Sequence, residues 1–106
     1  MPRREKADPL AVLIGARIKA LREQLGLTQE KLAYEAGLKS KGHLSGIEKG
    51  LVIPTLPTLS LLADRLAVEL LDLLTFPEIS ARHELVDLTR GMKVGSLRKL
   101  VREVRG

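Results

Sequence analysis

The chain has 106 residues, 44% apolar and 29% charged, which suits one small globular core. Cysteine is absent and the two histidines, His43 and His83, lie far apart, which excludes disulfides, thiol catalysis, iron–sulfur clusters and Cys- or His-based metal motifs; no cofactor is expected. Tyr34 and Phe76 are the sole aromatics, too few to stack unpaired bases, while the net charge of +5 divides into +4 over residues 1–50, −2 over 51–77 and +3 over 78–106. That distribution offers one surface to a polyanion and another to something else.

Residues 1–8 read as a flexible basic arm carrying Arg3, Arg4 and Lys6. These precede an apolar run, Leu10 to Ile14, in the manner of a signal peptide. Asp8 and Pro9 interrupt the approach, however, and Arg17 and Lys19 close the run far short of the ~18 residues a membrane span requires. The segment therefore reads as the start of a helix, with Asp8 as cap and Pro9 in the first position, in a soluble cytoplasmic protein with no membrane partner. Ile14, Ile18, Leu21 and Leu25 then recur on one helical face until Gly26, and Arg17, Lys19, Arg22 and Glu23 lie largely off that stripe.

Thr28 caps a second helix running to about Glu35, with Leu32, Ala33 and Ala36 inward, and Gly37 breaks it. A third covers about Lys41 to Lys49, with Ser40 as cap and Leu44 and Ile47 inward, and stops at Gly50. Leu51 to Pro57 reads as a loop, Thr58 as the cap of a fourth helix with Leu59, Leu62, Ala63 and Leu66 as its stripe, and Glu69 to Leu74 as a short fifth. A sixth starts at Thr75-Phe76-Pro77 and ends at Gly91, and Ser96 caps a seventh with the stripe Leu97, Leu100, Val101 and Val104. No strand alternation or repeat occurs, so the fold class is all-α.

The informative stretch is Leu27 to Gly50, two short helices joined at a glycine turn, with Ala33 small enough for them to cross closely. Such a pair either holds its second helix out for a DNA major groove or forms an ordinary αα-corner. With Leu44 and Ile47 inward, His43, Gly46 and the residues near Ser40 should face out. Lys39 and Lys41 supply donors for phosphates or guanine edges, Ser40 and His43 short-range hydrogen bonds, and Gly46 a close approach of backbone to DNA; Gly42, Ser45 and Lys49 complete the surface. Gln29, in the first turn of the second helix, can hold a phosphate oxygen beside free backbone N–H groups.

Motifs in a consistent order then weigh on the choice. Gly15-Ala16-Arg17-Ile18-Lys19-Ala20-Leu21-Arg22 is followed by Leu25-Gly26-Leu27-Thr28-Gln29, Leu32-Ala33, Ala36-Gly37, Leu44-Ser45 and Ile47-Glu48-Lys49-Gly50. Pro54-Thr55-Leu56, Thr58-Leu59 and Leu62-Ala63 complete the series. This pattern, over about residues 10–75, resembles the helix-turn-helix domain of the Cro/C1-type (XRE) family of transcriptional regulators. The resemblance implies a five-helix lambda-repressor-like domain at residues 9–76, followed by a C-terminal helical extension at 77–106. It also implies an internal ion pair between Arg17 and Glu48. One departure is that Glu48 lies eleven positions after Gly37, where most relatives have ten, so the extra residue falls within Leu38 to Gly42. The third helix lacks Gln and Arg, which leaves the lysines to do any guanine reading and shifts weight onto phosphate contacts.

The amphipathic seventh helix must cover its stripe, either by folding back or by pairing across a two-fold axis; regulators of this kind usually dimerise, which favours Leu97, Leu100, Val101 and Val104 as a dimer contact. The expectation is a non-enzymatic, homodimeric, sequence-specific regulator of double-stranded DNA, most simply a repressor, cytoplasmic and nucleoid-associated, with no small-molecule ligand. The alternative is an antitoxin-like protein-interaction module on the same fold.

Overall fold

The computed structural model describes residues 6–106, so Arg3 and Arg4 of the expected arm lie outside the described residues. Asp8 caps the first helix as its sequence suggested: its carboxylate accepts from the N–H groups of Leu10 and Ala11 at 2.9 and 3.1 Å, with Pro9 in a position whose own N–H would have no partner. Helix α1 (Pro9–Gln24) is followed by α2 (Gln29–Glu35), α3 (Lys41–Glu48), α4 (Leu56–Leu66), α5 (Leu70–Leu73), α6 (Ala81–Thr89) and α7 (Val94–Arg105), with no strand among the described residues. The described residues fall into two compact units, divided between Leu74 and Thr75.

In the first unit the apolar stripes converge on one core. Ile18 of α1, Leu32 of α2, Leu44 and Ile47 of α3, Leu62 of α4 and Leu73 of α5 are fully buried. Helix α3 lies between α1 and α2, and α4 packs on α1, α2 and α5. The crossing of α1 over α3 is close because Gly15 has no side chain: a Cβ there would stand 2.6 Å from the Glu48 carbonyl oxygen. Gly50 ends α3 in the left-handed conformation (φ 75°) and sits against Val12 of α1.

Three boundaries differ from the sequence reading. Helix α4 starts at Leu56, capped by Thr55 rather than Thr58; the Thr55 Oγ1 accepts from the Thr58 N–H at 3.3 Å, and Pro57 occupies the first turn, where no backbone donor is needed. Helix α6 starts only at Ala81, because Ser80 caps it through the His83 N–H, while the His83 Nδ1 accepts the N–H of Phe76 at 2.8 Å and its ring stacks on Phe76. Helix α7 starts at Val94, before Ser96, from Lys93 with no side-chain cap. Neither α6 nor α7 contains a buried residue. No described helix is long and apolar enough to cross a membrane.

Candidate nucleic-acid interface

Thr28 opens the helix pair by accepting the Lys31 N–H at 3.0 Å. Helix α2 closes at Gly37, which takes φ 74° and lets the Leu38 N–H return to the Ala33 carbonyl at 2.9 Å. Residues 36–40 make the turn, and Ser40 caps α3 by accepting the His43 N–H at 3.1 Å. The N-terminus of α3 is therefore exposed, with Lys39, Ser40, Lys41 and Gly42 all facing solvent.

Helical spacing sorts the rest of α3. Leu44, Ile47 and Glu48 are buried against the body, and Lys41, Gly42, Ser45 and Lys49 share an adjoining arc, Ser45 half-buried and the others exposed. The expected outward face thus rotates. Gly46 is buried, because the chain after α3 folds back over it and the Leu51 and Val52 N–H groups both donate to its carbonyl, at 2.9 and 3.1 Å; it offers no close approach to DNA. His43 is half-buried, and its Nδ1 is enclosed without a hydrogen-bond partner among the described residues. Beside it a groove of about 420 Å³ runs between the starts of α3 and α4, lined by Lys39, Ser40, Gly42, His43, Thr55 and Thr58 among others.

The internal ion pair also differs from the expectation. Glu48 pairs with Arg22, not Arg17: Arg22 Nε donates to Oε2 at 2.8 Å and Nη2 to Oε1 at 3.1 Å, while Nη1 donates to the Leu27 carbonyl at 2.7 Å. Helix geometry explains the exchange. Arg22 lies two turns after Gly15, on the face that crosses α3, whereas Arg17 lies on a different face and donates its Nε to the Asp72 carbonyl at 2.8 Å. Hydrogen bonding to Glu48 raises the Arg22 pKa above its ordinary value, against a smaller opposing effect of burial. Gln29 joins this cluster instead of pointing freely outward: it is half-buried, and its Nε2 donates to Glu48 Oε1 at 2.9 Å. Arg22 lies largely off the apolar stripe of α1, which hides its burial in the sequence; its seven-residue spacing from Gly15 is the signal that places it at the crossing.

The arrangement is a rigid frame (Arg22, Gln29 and Glu48 behind α3) that holds a polar, cationic edge (Lys41, Gly42, Ser45 and Lys49) in solvent. A helix-turn-helix family model matches residues 18–73, more than half of the chain, and spans every one of these contacts. The chain belongs to the XRE-type helix-turn-helix family. This is a family of transcriptional regulators, not of enzymes. A curated relative, the uncharacterized HTH-type transcriptional regulator y4dJ of Sinorhizobium fredii, is 40% identical over 63 residues, covering 59% of this chain and 80% of the relative. Among solved structures, the restriction-modification controller protein C.AhdI from Aeromonas hydrophila aligns with TM-score 0.58 and 35% identity, covering 59% of this chain and 94% of that one. A SinR protein/SinI protein complex contains a chain with TM-score 0.63 and 28% identity, covering 87% and 94%. This XRE-type regulator also shares its fold with the hypothetical transcription factor NHTF from Neisseria (TM-score 0.65, 24% identity, covering 84% and 96%).

Proposed function

We propose that this XRE-type regulator binds double-stranded DNA sequence-specifically as a homodimeric repressor, cytoplasmic and nucleoid-associated, with α3 in the major groove. The observation that carries the reading is the solvent-facing arc of α3. It presents two cations, a hydroxyl and a bare Cα on the one side of the helix that the core leaves open. Lys41 and Lys49 reach phosphates or guanine acceptors, Ser45 hydrogen-bonds a base edge, and Gly42 lets the helix approach the groove wall. Lys39, Ser40 and His43 line the adjoining groove, where a phosphate of the same strand is held. Gln29 acts mainly by fixing Glu48, and through it α3, with its amide oxygen left for solvent or DNA.

Selection of binding sites from random duplexes tests this directly. The reading expects a palindrome whose half-sites are one helical turn, about 34 Å, or a multiple of it apart, as two copies of α3 require. Recovery of no shared sequence would overturn it. A second reading, a protein-interaction module with the same fold, is supported by the apolar face of α6 and α7 and by the two-protein SinR/SinI structure. In that case a low-salt mobility-shift assay on genomic fragments would show no salt-sensitive complex at particular fragments.

A further inference from the structure

A second cationic surface lies outside the helix-turn-helix pair. Residues 90–106 hold six basic side chains against Glu103, a net +5 that equals the charge of the whole chain. On α7, Arg98, Arg102 and Arg105 recur at steps of four and three, which sets them in one row along the helix, all three exposed. Together with Val94, Leu97 and Val101 they edge an open groove of about 340 Å³. None of the three has an ion-pair partner among the described residues. Glu103, the one carboxylate of α7, stands four residues after Lys99 and on a different face from the row. Like charges at these spacings repel, so the row lowers the stability of the isolated helix. The helix dipole offsets this in the last turn, where Arg102 and Arg105 lie, and does nothing for Arg98.

We propose that this arginine row is a second DNA contact, which grips the phosphates of one strand of a duplex without reading bases. The proposal rests on the DNA-binding reading and extends it from α3 to the second unit. Three arguments select a nucleic-acid backbone. The first is length. From Arg98 to Arg105 the row runs about 10 Å, at about 1.5 Å per residue. Successive phosphates of one strand advance about 3.4 Å along the duplex, so three guanidinium groups meet three neighbouring phosphates. The second is chemistry. A linear array of fixed negative charge relieves a linear array of positive charge, and the planar guanidinium fork donates to two oxygens of one phosphate. The third sets a lipid surface aside: residues 77–106 contain no Trp, Tyr or Phe beyond Phe76 to anchor an interfacial helix. Such a contact supplies sequence-independent affinity and holds the regulator on DNA between its specific sites.

The test is the salt dependence with which the full chain binds a duplex of scrambled sequence, read by fluorescence anisotropy. The wild type is compared with a glutamine variant (Arg98→Gln, Arg102→Gln, Arg105→Gln) and a lysine variant (Arg98→Lys, Arg102→Lys, Arg105→Lys). All three positions are exposed and both replacements are good helix formers, so α7 stays helical, which circular dichroism checks. Each lost phosphate contact lowers the slope of log K against log salt by about 0.9. The glutamine variant is expected to lose about two to three units of slope per chain and at least tenfold in affinity at low salt, while the lysine variant keeps the slope. Site selection should return the same sequence for the wild type and the glutamine variant. A glutamine variant with the wild-type slope overturns the inference and leaves the reading of DNA by α3 intact. A slope loss that the lysine variant shares overturns it too, as does altered self-association of the glutamine variant in sedimentation equilibrium, which makes the row a protein contact. Cosedimentation with phosphatidylglycerol vesicles that the glutamine change abolishes, with the DNA slope kept, assigns the row to a membrane and overturns it as well. A wild type that forms no salt-sensitive DNA complex sinks the DNA reading and this inference together.

Discussion

Arg22 and Glu48 meet across the α1–α3 crossing in a two-pronged ion pair, Nε to Oε2 at 2.8 Å and Nη2 to Oε1 at 3.1 Å, with side chains only 10% and 2% exposed. The remaining capacity of this pair is largely used: Arg22 also reaches the Leu27 carbonyl, and Glu48 also accepts from Gln29. The pair therefore ties α1, the start of α2 and the end of α3 into one frame. Breaking a buried pair strands a charge, which costs about 3–5 kcal/mol. Arg22→Ala and Glu48→Ala should each destabilise by roughly that amount, and the double variant by much less than their sum. A double-mutant cycle on thermal or urea unfolding should give strong coupling between Arg22 and Glu48 and almost none between Arg17 and Glu48. Because the Arg22 pKa is raised, this stabilisation is full below its unfolded-state value and is lost only as pH climbs through the folded one. Acidification therefore removes nothing from the arginine side.

Gly15 sets how closely α1 approaches α3. Its missing side chain makes room for the Ile47 and Glu48 carbonyl groups, which are backbone and cannot turn aside. Gly15→Ala should destabilise by about 1–3 kcal/mol, despite the better helix propensity of alanine, because the crossing must open. Urea denaturation checks the sign. A more stable variant would mean that α1 and α3 are not held this closely.

Ala67 ends α4 in the left-handed conformation, φ 57° and ψ 40°, and is the one non-glycine residue with positive φ among those described. That region costs an L-residue about 1–2 kcal/mol relative to glycine. Ala67→Gly should raise stability, by about 0.5–1 kcal/mol once the extra freedom of the unfolded chain is counted, with DNA affinity unchanged. Thermal unfolding reads this as an increase of a few degrees.

Where the sequence carried a local cause, the structure could be read from it. Asp8, Thr28 and Ser40 cap their helices by short-range hydrogen bonds, and helical spacing sets the stripe of α4 and that of α1 apart from Leu25, which lies past the end of α1 and is 51% exposed. What escaped depends on long-range packing. Arg22 looked like a surface cation until the α1–α3 crossing buried it, and Gly46 looked open until residues 51 and 52 folded back over its carbonyl. Thr55 was passed over for Thr58 because Pro57 reads as loop, although a first-turn proline belongs in a helix start. The candidate site is thus legible in composition and position, and its outward arc is legible only once the neighbours of α3 are known.

The most direct measurement is the salt dependence of DNA affinity for the double variant Lys41→Ala, Lys49→Ala, read by fluorescence anisotropy on a duplex recovered by selection. Both lysines are exposed on the arc assigned to the groove, and each phosphate contact contributes about 0.9 to the slope of log K against log salt. The account predicts weaker binding and a slope reduced by about one to two units, with the thermal midpoint unchanged. An unchanged affinity and slope would show that this face of α3 does not meet DNA and would contradict the central claim.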